Sequence, residues 1–281
     1  MVRKVDLLID AVDVARTPAT VVDASWLYPP LNPAGIDVRA RYREAHPPGG
    51  VFLDLEALSS PRPAAPDVAA IAPPTPASLR AAFATIGVGC DEPLVVSDQE
   101  GGAATAPFAR LALLDAGFTD VRLLDGGTPA WRAAEGPLTD AAPRVLAGPC
   151  CGAPRRDGRF VGTGATRAAL AAGSATVVDA RFVPTNAGVL PPRFADVAIP
   201  ADVVLRPGDV LVETAAGPRW LDAGTLRRLA ASRGLADGRP VVVTCHFGVG
   251  AAVVATALER AGIAPVQVDA DSVLGWAGAS G

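Results

Sequence analysis

The sequence predicts an α/β fold of two similar domains, each built on a mainly parallel sheet flanked by helices. Short runs of Val and Leu lack two-residue alternation and are separated by helix-length segments, which is typical of strands buried on both faces. The segment TVVDA occurs twice, at Thr20–Ala24 and at Thr176–Ala180, and each copy continues into similar elements. A chain of 281 residues is long enough for two such domains.

Each copy predicts the same order of strands and helices. The expected strands are Thr20–Asp23, Pro93–Ser97 and Val121–Leu124 in the first copy, and Thr176–Asp179, Val241–Thr244 and Val266–Val268 in the second. The expected helices are Pro76–Ile86, Ala103–Gly117, Ala223–Arg233 and Gly250–Gly262. The first of these helices has Thr75 as its N-cap and proline at its first position, and two of the four end at a glycine.

The composition along the chain predicts where the two domains lie, and the net charge argues against one class of partner. We expect a first domain at 1–140, a linker at 141–159 and a second domain at 160–281, because the linker is rich in Ala, Pro, Gly and Arg without a sustained period. The net charge of −4 argues against a nucleic-acid partner, which requires a basic face.

The sequence also argues against membrane insertion or export. No run approaches the ~20 apolar residues that a membrane span needs. The N-terminal apolar stretch is interrupted by Asp6, Asp10 and Asp13, so it is not a signal peptide. We therefore expect a cytoplasmic protein without a membrane partner. In such a reducing compartment, a cysteine in a special local context becomes a candidate for chemistry.

The candidate for chemistry is Cys245, which follows the expected strand Val241–Thr244. The next residues, His246, Phe247, Gly248, Val249 and Gly250, form a glycine-containing loop that opens a helix. Backbone N–H groups of such a loop can converge on the sulfur, and the helix N-terminus adds positive potential. Both effects favour the thiolate and predict a lowered pKa for Cys245, unless it is an ordinary buried cysteine at a strand end.

Three segments resemble motifs of a known family. CHFGVGA at 245–251 resembles an active-site loop of the form C-x-x-G-V-[TS]-A, and LLDGGTPAW at 123–131 resembles LLDGGLPAW. AHPPGGVFLD at 45–54 resembles the turn G-H-I-P-G-A-x-x-x-D. These motifs, in this order, resemble the tandem-domain rhodanese-like sulfurtransferases of the thiosulfate and 3-mercaptopyruvate type. The resemblance implies two rhodanese-like domains, each with about five strands, and an active site in the cleft between them.

The resemblance further implies sulfur transfer through a persulfide on Cys245. A small anionic donor, of the 3-mercaptopyruvate or thiosulfate type, would give its outer sulfur, and a thiol, cyanide or protein would accept it. No metal and no organic cofactor is expected. In the first copy Asp98 stands where Cys245 stands in the second, and a carboxylate cannot carry a sulfane sulfur. The first domain is therefore expected to be catalytically silent and to form one wall of the cleft.

Two arginines are expected to bind the donor. Arg193 lies near the position of the carboxylate-binding arginine of the mercaptopyruvate type, and Arg181 closes the triplet that begins at Asp179. Arg181 has the alternative role of tying its loop to its own domain. The family's other cationic positions hold Thr185 and Phe247 here. We therefore expect a partly dismantled anion pocket in which thiosulfate is a poor donor.

Both histidines of the chain are candidate site residues. His246 could protonate a leaving group or raise the local positive potential, unless its side chain points away from the sulfur. His46 and Asp37 match a first-domain pair that faces the active site in mercaptopyruvate-type enzymes. The alternative for His46 is a turn-stabilising role.

Two other functions remain as alternatives. The first is a catalytically weak rhodanese module that acts as a sulfur carrier or as a protein-binding partner in a biosynthetic pathway. The second is phosphatase chemistry, since related loops with one extra residue wrap a phosphate. The loop from Cys245 to Gly250 has no arginine at its end to clamp a phosphate, which argues against this second alternative.

Overall fold

Two five-stranded sheets form the centre of the protein. The computed structural model describes residues 6–60, 68, 70–143, 158–181, 191, 194 and 197–278. The first sheet contains β1 (Leu8–Ile9), β2 (Thr20–Asp23), β3 (Val51–Phe52), β4 (Leu94–Ser97) and β5 (Val121–Leu124). The second contains β6 (Phe160–Val161), β7 (Thr176–Asp179), β8 (Val203–Val204), β11 (Val241–Thr244) and β12 (Val266–Asp269). The strands β9 (Leu211–Thr214) and β10 (Gly217–Trp220) form a separate antiparallel hairpin.

Helices flank each sheet. Those that accompany the first sheet are α1 (Ala11–Val14), α2 (Val38–Glu44), α3 (Leu55–Leu58), α4 (Pro76–Thr85), α5 (Ala106–Asp115) and α6 (Gly127–Ala133). Those that accompany the second are α7 (Thr163–Ala171), α8 (Ala223–Ser232), α9 (Val249–Ala261) and α10 (Ser272–Ala277). We call the described residues up to 143 the first half and those from 158 onward the second half.

The two sheets have the same topology, which confirms the predicted repeat. The strand order is β1-β5-β4-β2-β3 in the first half and β6-β12-β11-β7-β8 in the second. Every neighbouring pair within the two sheets is parallel. The central strands β4 and β11 are buried along their whole length, as predicted from their unbroken Val-rich runs. The predicted fold class is therefore confirmed.

Capping residues explain where the predicted helices begin. Thr75 accepts a hydrogen bond from the Ser78 N–H and Pro76 follows it, so α4 begins where the sequence indicated. The helix α5 begins at Ala106, three residues later than predicted. The intervening residues belong to a loop whose N–H groups bind the Asp98 carboxylate instead of starting the helix.

Helices α5 and α9 pack against each other between the two halves. The carboxylate of Glu259 on α9 accepts a hydrogen bond from the Arg110 guanidinium on α5 at 2.9 Å and another from Arg159. The rings of Phe108 and Phe160 meet edge to face, with centroids 5.2 Å apart. Because Arg110 is only 7% exposed, this ion pair lies in the buried contact between the halves.

The β9–β10 hairpin extends from the second half onto the first. The Arg219 guanidinium donates to the Asp125 carbonyl at 2.5 Å, and Pro218 lies against Gly101. A Cβ atom at Gly101 would meet Pro218 at 2.6 Å, and one at Gly126 would meet Arg219 at 2.5 Å. Both glycines also have positive φ, so the hairpin contacts a surface that only glycine can provide. The hairpin covers the loop that carries Asp98.

The predicted domain boundaries remain a prediction. Residues 144–157, which form most of the predicted linker, lie outside the described residues, as do the N-terminal five residues. Within the part of the chain that the structure describes, no helix is both long and apolar enough to cross a bilayer.

Candidate active site

The candidate nucleophile lies in a tight turn between β11 and α9. Cys245 follows the last residue of β11 and is only 2% exposed, and its side chain is a free thiol. Gly248 has φ +90°, a conformation that favours glycine, and it forms the N-cap of α9. Its N–H donates to Cys245 Sγ at 3.1 Å, and the backbone N–H groups of Phe247 and Ala251 also act to lower the pKa of the thiol. The predicted convergence of backbone donors on the sulfur is therefore present.

The prediction that the pKa of the Cys245 thiol is lowered is wrong. The backbone N–H groups do lower the pKa of Cys245, but burial raises it by more, so the pKa lies above its ordinary value. Burial has this effect because the thiolate loses its hydration while the neutral thiol loses little. The hydrogen-bond donors follow from the local sequence of the loop, whereas this cost of desolvation depends on how the rest of the chain buries the sulfur. The resting residue at neutral pH is thus a protonated thiol surrounded by donors suited to its anion.

Asp98 occupies the equivalent place in the first half. It follows β4, is fully buried, and its carboxylate receives four backbone hydrogen bonds of 2.7–3.1 Å. The donors are the N–H groups of Glu100, Gly102, Ala104 and Ala106. The repeat therefore forms a cluster of backbone donors in both halves. One cluster encloses a carboxylate, and the other encloses a sulfur.

The turn at the start of α10 holds the backbone of Cys245. The Cys245 N–H donates to Ser272 Oγ at 3.2 Å, and the Val273 N–H donates to the Cys245 carbonyl at 3.1 Å. Ser272 in turn donates to the Asp269 carbonyl at 2.7 Å. Sequence analysis missed Ser272 and Asp269. Their signal was a polar residue at the end of a buried strand and another three residues later, where the first half has Leu124 and Gly127.

An aromatic wall lies beside the loop. The ring of Phe247, which is 8% exposed, packs on Tyr28 with centroids 4.9 Å apart, and Tyr28 in turn contacts Trp26 at 5.9 Å. Trp26 and Tyr28 follow β2, so the first half contributes directly to the surroundings of the active-site loop. Sequence analysis identified Phe247 as a departure from the family pattern but did not find these partners.

His246 is half-buried next to the nucleophile. Burial, and then the nearby Arg181 cation, lower the pKa of His246 to about 4, although Asp179 opposes them. The imidazole is uncharged at neutral pH as a result. The expectation that it raises the local positive potential is therefore wrong, because the sequence could not show that the ring is desolvated beside a cation. A role in proton transfer stays a prediction.

Arg181 is bound to its own half. Its Nε and Nη2 donate to the Asp179 carboxylate at 2.7–3.0 Å, and its Nη1 donates to the Val197 carbonyl at 2.8 Å. This arrangement corresponds to the alternative role of tying the loop to its own domain, and substrate binding by Arg181 stays a prediction. The other expected anion anchor, Arg193, lies outside the described residues, as does Thr185.

The two candidate site residues of the first half, His46 and Asp37, make their hydrogen bonds within the first half. His46 is 2% exposed, and its ring nitrogens lie 2.7 Å from the Tyr42 carbonyl and 3.2 Å from the Ala141 carbonyl. The ring also stacks on Tyr42. Asp37 is exposed and caps α2 by accepting the Ala40 N–H at 2.9 Å. These contacts correspond to the turn-stabilising alternative for His46, and a role of either residue in the cleft stays a prediction.

The described residues offer no site for a metal ion, since they contain no suitable group of three or more His, Cys, Asp or Glu side chains. The chemistry that the described loop supports is nucleophilic attack by the Cys245 sulfur, with the backbone N–H groups stabilising negative charge on that atom.

Comparisons with known proteins give the family. The model of the rhodanese-like domain matches residues 23–134. SseB from Mycobacterium tuberculosis, named as a thiosulfate sulfurtransferase, is 33% identical over 252 residues, which cover 88% of this chain and 84% of SseB. The 3-mercaptopyruvate sulfurtransferase of Escherichia coli is 29% identical over 241 residues, 83% of this chain and 80% of its own. The crystal structure of SseA from Escherichia coli matches with a TM-score of 0.75 at 25% identity, covering 94% of this chain and 98% of SseA.

The repeated parallel α/β fold and these relatives together define a sulfurtransferase with two rhodanese-like domains. The chain belongs to the rhodanese-like sulfurtransferases that include the thiosulfate and 3-mercaptopyruvate enzymes. Named relatives that align along most of their length support an enzyme rather than a module that only carries sulfur or binds protein.

Proposed function

We propose that this sulfurtransferase carries the transferred sulfur as a persulfide on Cys245. The observation that supports this most is the Gly248 N–H that donates to Sγ at 3.1 Å, together with the Phe247 and Ala251 N–H groups that act to lower the pKa of the thiol. The same part of the first half binds the Asp98 carboxylate with four N–H groups, which indicates that this loop architecture suits an anion.

The proposed reaction has two steps that balance in atoms and electrons. In the first, the Cys245 thiol loses its proton, which ends on the departing donor fragment, and its sulfur attacks the transferable sulfur of the donor. A sulfur–sulfur bond forms, and the bond between that sulfur and the rest of the donor breaks, with its electron pair leaving on the donor fragment. In the second, a nucleophilic acceptor attacks the outer sulfur, and Cys245 leaves as a thiolate. No net oxidation and no cofactor is needed.

The buried thiol explains why the cluster of N–H groups matters for the rate. Because burial raises the pKa of Cys245, the thiol is mostly protonated at neutral pH and must lose its proton when the donor arrives. The N–H groups become most valuable at that moment, since they stabilise charge that develops in the transition state. His246 is a candidate to take part in this proton transfer through its uncharged ring.

We further propose that the donor is of the 3-mercaptopyruvate type rather than thiosulfate. Phe247 presents an apolar ring packed on Tyr28 where a thiosulfate-binding cation is expected from the family. Arg181 is already neutralised by Asp179. A thiosulfate dianion therefore lacks one of its expected charged partners. The single carboxylate of 3-mercaptopyruvate carries one negative charge and needs fewer cationic partners. Arg193 remains the proposed anchor for that carboxylate, and a thiol, cyanide or protein remains the proposed acceptor.

A comparison of donors tests this proposal. With cyanide as acceptor, we expect kcat/KM for 3-mercaptopyruvate to exceed that for thiosulfate by about ten- to a hundredfold. This is the effect of one missing charge-assisted contact of about 1.5–3 kcal/mol. Phe247→Lys should raise kcat/KM for thiosulfate by about tenfold. The matched control, Phe247→Leu, keeps an apolar side chain against Tyr28 and should not. A preference of the parent enzyme for thiosulfate would contradict the donor assignment.

A further inference from the structure

A buried carboxylate lies behind the active-site loop, and the proposed reaction does not use it. Asp269 ends β12 and is fully buried. Its Oδ1 accepts hydrogen bonds from Thr163 Oγ1 at 2.8 Å and from the Ser272 N–H at 3.1 Å. Its Oδ2 accepts one from the Trp276 indole at 3.0 Å. A buried carboxylate with three donors of this kind is costly to desolvate, and its retention calls for a reason.

The contact with Ser272 links this carboxylate to the nucleophile. Ser272 is fully buried and has φ +49°, a left-handed conformation that is strained for a residue with a side chain. The Asp269 carboxylate fixes this conformation from one side by binding the Ser272 N–H. On the other side, Ser272 Oγ accepts the Cys245 N–H, and the next residue, Val273, binds the Cys245 carbonyl. Both backbone groups of the nucleophile are thus held by one turn.

The first half supplies an internal comparison. In the same positions of the repeat, Leu124 replaces Asp269 and Gly127, with φ +57°, replaces Ser272. The Thr128 N–H still binds the Asp98 carbonyl at 2.9 Å, as Val273 binds that of Cys245. A Cβ at Gly127 would clash with the backbone of Gly102 and of Asp98. The turn is therefore shared by both halves, but its two polar side chains occur only beside the nucleophile.

We infer that Asp269 is a positioning residue for sulfur transfer, whose buried carboxylate fixes the Ser272 turn that holds Cys245. Without this carboxylate, Ser272 relaxes toward an unstrained conformation and its hydroxyl no longer meets the Cys245 N–H. The sulfur then moves relative to the N–H groups of Gly248 and Ala251. The expected effect on sulfur transfer rests on the proposed function. The expected effect on the position of the Cys245 thiol does not, because the Ser272 turn holds Cys245 whether or not a donor is bound.

Asp269→Asn tests this inference with almost no change in volume. The amide is uncharged and keeps only one acceptor oxygen, so even the orientation that still meets the Ser272 N–H binds it more weakly than the carboxylate does. We expect kcat to fall by about tenfold or more while KM changes by less than about threefold, because the donor's own contacts are untouched. We also expect the pH profile for alkylation of Cys245 by iodoacetamide to shift to higher pH, as the N–H groups lose their alignment.

Two further variants separate positioning from general support of α10. Trp276→Phe removes another donor to the same carboxylate and leaves Ser272 in place, so its kcat and alkylation profile should stay within about threefold of the parent. Ser272→Gly is the residue of the first half and accepts the left-handed φ. It should reproduce the shift in the alkylation profile, and adding Asp269→Asn to it should cause little further loss, because both act through one contact.

The outcomes distinguish this inference from the proposed function. Alkylation reports on the Cys245 thiol whether or not it carries sulfur, so a parent enzyme without a persulfide would refute the proposed function alone. An Asp269→Asn variant with the parent's alkylation profile would overturn the inference. A double variant whose loss of kcat equals the product of the losses in Asp269→Asn and Ser272→Gly would also overturn it. If Asp269→Asn fails to fold, a Ser272→Gly variant with the parent's profile would also overturn it.

Discussion

Replacement of Cys245 by serine will reduce sulfur transfer by at least about a thousandfold with every donor. A serine hydroxyl is far less acidic and less nucleophilic than a thiol, and it cannot form the sulfur–sulfur bond on which the proposed cycle depends. The measurement is kcat/KM for the purified Cys245→Ser variant, with 3-mercaptopyruvate and with thiosulfate, each at saturating cyanide.

The same variant should fold normally, which makes the loss interpretable. A serine Oγ can accept the Gly248 N–H that now meets Sγ, and the hydrogen bonds that the N–H and the carbonyl of residue 245 form with Ser272 and Val273 use only backbone atoms of residue 245. We therefore expect a melting temperature close to that of the parent. Activity within tenfold of the parent, at an unchanged melting temperature, would show that Cys245 does not carry the sulfur.

Replacement of Asp98 by asparagine will destabilise the protein while leaving catalysis nearly intact. The carboxylate receives four backbone hydrogen bonds, and an amide would turn one of its two acceptor atoms into a donor that faces N–H groups. Buried donors that lose a charged acceptor cost about 1.5–3 kcal/mol each. We expect the free energy of unfolding to fall by about 3 kcal/mol and the melting temperature by several degrees.

The matched control for this change is Asp91→Asn, which alters an exposed carboxylate in the turn before β4. It should change the melting temperature little. The kcat of folded Asp98→Asn protein should stay within about threefold of the parent, because a carboxylate at residue 98 cannot carry the transferred sulfur. A loss of kcat as large as that of Cys245→Ser would mean that the first-half loop takes part in the reaction.

The fold could be predicted because the signals for it are local and repeated. Strands β2 and β11 match their predicted bounds, since a short Val-rich run between helix-length segments favours a strand buried in a two-sided sheet. The N-cap of α4 at Thr75 was equally predictable from the local sequence. The start of α5 was not, because the loop before it is organised by the Asp98 carboxylate, whose hydrogen bonds depend on the folded backbone.

The candidate site could be predicted only in part, for a related reason. Cys245 and its N–H donors follow one another in the chain, so their convergence could be inferred from the loop alone. The direction of the pKa shift of Cys245 depends on how deeply the sulfur is buried, which neighbouring elements decide. Ser272, Asp269 and Tyr28 reach the loop from distant parts of the sequence, and only the comparison of the two halves offered a hint of the first two.

Localisation of the transferred sulfur tests the central proposal most directly. The enzyme is treated with one equivalent of 3-mercaptopyruvate without an acceptor, digested under non-reducing conditions and analysed by mass spectrometry. We predict that the peptide containing Cys245 gains the mass of one sulfur atom, and that cyanide removes it again at a rate no slower than kcat. An added sulfur found only on another cysteine, or continued turnover with no sulfur on Cys245, would contradict the account.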